Sequence, residues 1–228
     1  MGTITGKQII DKAAIQLLDN ANTRWTRAEV LAWIDDAQRT IVLVQPNATS
    51  TTVAMKLVAG TRQQLPADGH LLLDIYRNMG NDGNKPGRVV RVVSRELLDA
   101  HMPTWHSGAK NAVTQNYVYD VQDQLAFYVY PPADGNNYVE LNYSKVPAPL
   151  TDETDTLDVA DVYAAIVLDY VLFRTNAKDA EYAAGLALAN QYWTAFAAAL
   201  GMNEKEETSN NPNQSIPPKN QPVPGATS

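Results

Sequence analysis

The chain has 228 residues, 45% hydrophobic and 19% charged, long enough to bury one domain core or two small ones. Its 18 Lys and Arg against 25 Asp and Glu leave a net charge of −7, which argues against a protein that grips nucleic acid through its overall charge. Cysteine is absent, excluding disulfides, zinc–thiolate sites and thiol nucleophiles, and no apolar run approaches the ~20 residues of a membrane span.

The segment Met1 to Lys7 lacks the charged-then-apolar layout of a secretory signal, so an intracellular site of synthesis is expected. Residues 1–50 predict a helical hairpin. Ile9, Ile10, Ala13 and Leu17, then Val30, Leu31, Ile34, Ala37 and Ile41, recur at the spacing that builds one apolar helix face. Thr26-Arg27-Ala28-Glu29 is a start signal for the second helix, with Trp25 set to staple against Val30. Pro46 should stop that helix at Gln45.

From residue 51 to 150 the period shortens. Thr51 to Val58, Leu71 to Tyr76, Arg88 to Val93, Phe127 to Tyr130 and Tyr138 to Tyr143 are β-branched or aromatic stretches. Gly, Asn, Asp and Pro separate them, with turns expected at Ala59-Gly60-Thr61, Pro66 to Gly69, Gly80 to Gly87 and Pro131 to Asn136. Ser94 should cap a short helix over Arg95 to Ala100, followed by a long loop through Pro103, Trp105 and Gly108. Helical periodicity returns over 151–201, first with Val159, Val162, Tyr163, Ile166, Val167, Tyr170 and Phe173. It continues with Leu186, Ala189, Tyr192, Trp193, Phe196 and Leu200, and Gly201 reads as the C-cap. Asp158 and Asp161 fall in the expected first turn of the third helix, where the macrodipole favours acids. Residues 202–228 are rich in Pro and Asn and too polar to form a core. The fold class expected is therefore α+β: a four-helix bundle built from the hairpins 1–50 and 151–201, an inserted β-rich domain 51–150, and an extended C-terminal tail 202–228.

The motifs give little chemistry. The Gly80 to Gly87 loop has no G-x-x-x-x-G-K-[ST] pattern. His70, His101 and His106 are not at helical metal-ligand spacing, so no metal and no cofactor are expected. The acidic run Asp152 to Asp158 lacks the central Gly and distal Glu of a calcium loop, and reads as polar linker and cap. No local motif supports a catalytic carboxylate pair. The tyrosines at 117, 119, 128, 130, 138 and 143 fit cross-strand packing first, and a stacking platform or protein interface second. Arg88, Arg91 and Arg95 form the one basic cluster, read as intersubunit salt bridges or a solvated edge, and Trp105 joins them as a subunit-interface candidate.

The order of helical hairpin, β insertion, acidic helical hairpin and polar tail resembles the head-to-tail adaptor (connector) proteins of tailed bacteriophages. The stretches that carry the resemblance are Gly6-Lys7-Gln8-Ile9-Ile10-Asp11-Lys12-Ala13, Tyr128-Val129-Tyr130-Pro131-Pro132, Asp169-Tyr170-Val171-Leu172-Phe173-Arg174 and, most specific, Trp25-Thr26-Arg27-Ala28-Glu29-Val30-Leu31-Ala32-Trp33-Ile34-Asp35-Asp36-Ala37-Gln38-Arg39. The resemblance implies a structural virion protein without catalysis, located at the head–tail junction and made in the host cytoplasm. It further implies a homo-oligomeric ring, most often of twelve subunits, beneath the portal protein and offering a platform to a tail or nozzle protein. Genomic DNA would pass through without sequence-specific binding, and no membrane is involved. Under that reading Ile216, Pro217, Pro218, Pro222 and Val223 of the tail are expected to meet the portal, and Asp152, Glu153 and Asp155 to face the lumen. The alternatives are a virion-associated peptidoglycan hydrolase and a tail-distal structural or host-binding component.

Overall fold

The computed structural model describes residues 2–119, 122–179 and 183–210. Among them are five helices and two sheets, an α+β protein: α1 (Gly6–Gln16), α2 (Arg27–Val44), β1 (Ser50–Lys56), β2 (Gly60–Gln64), β3 (Gly69–Asn78), β4 (Arg91–Val92), α3 (Arg95–His101), β5 (Asn116–Tyr119), β6 (Ala126–Ala133), β7 (Tyr138–Lys145), α4 (Ala164–Lys178) and α5 (Ala183–Asn210). No helix among the described residues is long and apolar enough to cross a membrane.

Local chemistry sets the helix ends. Thr5 and Gln8 form a reciprocal capping box at the start of α1, satisfying two backbone donors that the helix leaves open. At α2 the Thr26 hydroxyl accepts from the Glu29 N–H. Gln45 ends α2 and Pro46 opens a 3-10 turn, because proline cannot donate in a helix interior. The third long helix begins at Ala164 behind a 3-10 turn over Asp161–Tyr163, so Asp158 and Asp161 precede it instead of lying in its first turn. Val162 is 76% exposed, since the 3-10 turn takes it off the face its spacing suggested. Gly201 does not cap α5, which continues to Asn210 into the stretch expected to be extended.

One buried apolar cluster joins Ile9, Ile10 and Ala13 of α1, Trp33, Ile34 and Ile41 of α2, Val167 and Val171 of α4, and Phe196 and Leu200 of α5. Trp25 and Val30 are both buried within it. The buried residues of a second cluster lie between 57 and 143, including Ile75, Phe127, Val129, Val139 and Leu141, with Val53 and Met55 packed against them, and it takes side chains from both sheets. Each fully buried side chain of this size contributes about 1.5–3 kcal/mol.

The sheets have the orders β1-β7-β3 and β2-β6-β5-β4. Segment 88–93 links them. Its first half pairs with β3, through Asn78 N–H to Arg88 C=O and Val90 N–H to Tyr76 C=O, and its second half runs parallel to β5. The result is a rolled sheet with β1 and β2 as its two ends. Only Arg91–Val92 of the expected Arg88 to Val93 strand is regular, because this crossing segment changes partners midway. β2 begins at Gly60, with φ 116°, inside an expected turn, and its Thr-Arg-Gln-Gln sequence carries no apolar alternation. β6 runs through Pro131 and Pro132, also expected as a turn. There the β2–β6 register shifts, so the missing proline donors break no ladder bond with β2.

Candidate functional site

Three surfaces carry the residues that the sequence singled out. The first is an acidic strap, 151–161, laid over the start of α1. Its carbonyls take the open donors of that helix: Gly6 N–H donates to Asp155 C=O at 3.0 Å and Lys7 N–H to Glu153 C=O at 2.6 Å. Leu157 N–H donates back to Ile4 C=O at 2.9 Å. A side chain on Gly2 would put a Cβ 2.7 Å from the Val159 carbonyl, so this approach needs glycine. The acids serve the same joint. Asp161 accepts from the Thr3 hydroxyl, the Thr3 N–H and the Ile4 N–H. Asp155 accepts from the N–H groups of Asp152 and Thr151 and the Thr151 hydroxyl, and Asp152 from the N–H and hydroxyl of Thr154. These donors hold all three carboxyls below the usual carboxylate range. Asp158 accepts from Ala148 N–H. Glu153 pairs with Arg27 at 2.6 Å, and Arg27 also reaches Asp11 at 3.0 Å. Of the three acids expected at a lumen, Asp152 is exposed while Glu153 and Asp155 are half-buried in these contacts.

The second surface surrounds β4. Arg88, Arg91 and Arg95 are all exposed. Arg95 lies 5.3 Å from the Tyr128 ring centre and 3.8 Å from Asp99, while Arg88 and Arg91 make no ion pair among the described residues. Trp105 is not part of this open surface. It is 2% exposed, stacked on His106 at 3.6 Å and edge-on to Tyr128, and its Nε1–H donates to Asp99 at 2.8 Å. Its own chain covers the indole. His106 Nδ1 meets the Thr61 hydroxyl at 2.9 Å, and no three His, Asp or Glu among the described residues gather around a possible metal position.

The tyrosines are largely inward. Tyr117 donates to Asp74 at 2.9 Å and Tyr143 to Asp68 at 3.0 Å. Burial and the neighbouring carboxylate push the Tyr143 hydroxyl up to about 12, and the same causes, in the same order, raise Tyr117. Both rings are buried, as is Phe127, so they pack across strands and offer no open face for stacking.

The third surface is α5, uncharged from Ala183 to Asn203. Ala189, Phe196 and Leu200 face the core, while Leu186 and Trp193, expected there, are 51% and 44% exposed. A helix apolar on every side gives no periodicity from which to choose the buried face, which is why the sequence misplaced them. Ile216, Pro217, Pro218, Pro222 and Val223 lie outside the described residues.

None of these three surfaces has the concave, convergent polar geometry of a catalytic centre. Comparison with curated proteins gives no match. A model of the SU10 adaptor protein family matches residues 4–216, a span that includes every helix and strand described above. The chain belongs to the SU10 adaptor protein family, a family of phage head-to-tail adaptors.

Proposed function

We propose that this phage structural adaptor acts as one subunit of a ring, of twelve copies, that sits beneath the portal, continues the DNA channel and presents a platform to the tail. The observation that carries the reading is the family match over residues 4–216. In this reading residues 1–50 and 151–201 are the two hairpins of one four-helix bundle, and 51–150 is a domain inserted between them. The separate burial of the two clusters supports that division. The exposed Arg88 and Arg91 form intersubunit ion pairs with the next copy, and Arg95 flanks them. Asp152, the exposed acid of the strap, lines the lumen with Glu153 and Asp155 beside it, where like charge keeps DNA from sticking. Residues 202–228 reach the portal, with Ile216 and Val223 as apolar anchors and Pro217, Pro218 and Pro222 holding the segment extended. DNA passes without sequence-specific binding, which the net charge of −7 favours. No catalytic step is assigned.

Sedimentation of the protein alone and mixed with its phage's portal ring tests this reading. Saturable co-sedimentation at a fixed stoichiometry, lost on removal of residues 211–228, is the expected result. Failure to bind the portal at micromolar concentration, or clearing of a peptidoglycan zymogram, would overturn it in favour of a tail-distal component or a hydrolase.

A further inference from the structure

We propose that the open seam between β1 and β2 is a strand-docking site that takes an extended segment of a second, different protein, one alternating apolar with acidic residues. The observations behind it do not depend on the ring reading. Among the described residues β1 pairs only with β7 and β2 only with β6. The phase of each ladder follows from its end bonds. Leu57 N–H donates to Asn137 C=O, so in the unbroken β1–β7 register the hydrogen-bonded positions of β1 are 51, 53 and 55. The N–H and C=O groups of Thr52, Ala54 and Lys56 therefore point away from β7. By the same logic, from Leu65 N–H to Leu125 C=O, those of Arg62 and Gln64 point away from β6. No backbone bond among the described residues takes up these outward groups.

The corner between the two strands is already satisfied from within. Gln63, 1% exposed, accepts from Val58 N–H at 2.8 Å and donates to the carbonyls of Val58 and Gly60 at 2.9 and 3.2 Å. What remains is a groove of about 610 Å³ between the strands. Met55, Val58, Leu65 and Pro66 supply its apolar lining, and Lys56 and Arg62 its charge, Arg62 also meeting Asp123 at 3.4 Å through an exposed pair that an incoming carboxylate would share. Backbone groups along an edge recognise a strand, and an apolar floor beneath them selects alternate apolar side chains. The charges choose the occupant. β1 and β2 contain no acid, so a second copy of either edge would set cation against cation, whereas glutamates on the outer face of an incoming strand would meet Lys56 and Arg62.

The test uses the full-length chain and two capped seven-residue peptides, one alternating valine with glutamate and one alternating valine with lysine. The expected result is saturable binding of the glutamate peptide with at least tenfold preference over its twin. Amide hydrogen exchange at Thr52, Ala54 and Lys56 should slow at least tenfold on binding. Ala54→Pro removes an outward N–H that the β7 ladder does not use, and should abolish binding. Should that variant misfold, K56E combined with R62E should invert the preference between the peptides. Equal binding of both peptides, or no protection of the three amides at millimolar glutamate peptide, would overturn the proposal. So would protection of those amides by self-association in the absence of peptide.

Discussion

Arg27 Nε donates to Glu153 Oε1 at 2.6 Å while its Nη2 donates to Asp11 Oδ1 at 3.0 Å, so one guanidinium joins the strap, α1 and α2. The partners are 126 and 16 positions away in sequence, and the Arg27 and Glu153 side chains are 30% and 31% exposed. The Glu153 carboxylate, and after it Asp11, stabilises the Arg27 cation beyond its already permanent charge. Arg27→Ala is expected to lose about 1–2 kcal/mol, above an ordinary surface pair because Glu153 is left without its cation while Asp11 keeps only Lys7. Arg27→Lys should recover less than half, since a point charge cannot serve both carboxylates at these angles. Urea unfolding reads this as a lower midpoint at constant slope. An unchanged midpoint in the alanine variant would mean that the pair contributes nothing.

The strap should release the N-terminus in acid. Asp161 is held below its ordinary range by the Thr3 hydroxyl and then the Thr3 N–H. A carboxyl whose folded value is depressed stabilises the fold above its unfolded value, near pH 4, and loses that contribution as pH falls through the folded one. Protection of the Thr3 and Ile4 amides, taken against their intrinsic exchange rates at each pH, should therefore fall below about pH 4, while the α2 core amides stay protected. Asp161→Asn should give the same loss of protection at pH 7. Equal protection at Thr3 in the variant and the parent would remove Asp161 from this role.

How much of this was legible beforehand depends on where the signal lay. Helix ends fixed by one local rule, such as Thr26 before α2 and Pro46 after it, were readable because the physics is confined to four or five residues. The capping box of Thr5 and Gln8 has the same kind of local signal and was there to be found. β2 and the Arg88 to Val93 crossing were not readable, because their pairing is set by β6, β3 and β5, and the strand sequence records none of it. The acidic run could be seen but not its use. Asp155 and Asp161 are backbone acceptors for segments as far away as Thr3, and composition shows charge without showing the donor. The burial of Trp105 was not legible either, because its cover includes Tyr128 of β6, more than twenty positions away.

Asp169 on α4 carries the opposite prediction. Partial burial raises its carboxyl, and no donor among the described residues is recorded to offset that. At neutral pH the charged form is disfavoured by folding, so Asp169→Asn should raise the urea midpoint. A carboxyl whose folded value is elevated becomes neutral as pH falls through that value, so the gain should shrink in acid and vanish below about pH 4. A variant less stable than the parent at pH 7 would reveal a favourable partner for the carboxylate.

Gln45, at the end of α2, joins it to α5 and to Tyr163 from a position only 2% exposed. Its Nε2 donates to the Leu200 carbonyl of α5 at 2.5 Å, and its Oε1 accepts from the Tyr163 hydroxyl at 2.8 Å. Removing one end of this chain is cheaper than removing the middle. Tyr163→Phe should cost about 1 kcal/mol, whereas Gln45→Leu should cost about 2–3 kcal/mol because the Tyr163 hydroxyl loses this buried acceptor while the Leu200 carbonyl, inside α5, loses a side-chain donor beyond the helix ladder. Gln45→Glu should be the worst of the three at pH 7, since it faces a charge toward a carbonyl in a dry site. Burial would raise that new carboxyl, so its penalty is present above the elevated value and is relieved as protonation restores an O–H donor. The three variants should therefore order as Phe, Leu, Glu in loss of stability at pH 7. At pH 5 the glutamate variant should move toward the leucine variant, and denaturant midpoints at the two pH values check both statements. If Gln45→Leu proved neutral, the joint between α2 and α5 would rest on the apolar cluster that Phe196 and Leu200 share with Ile34 and Ile41, with no net contribution from this amide.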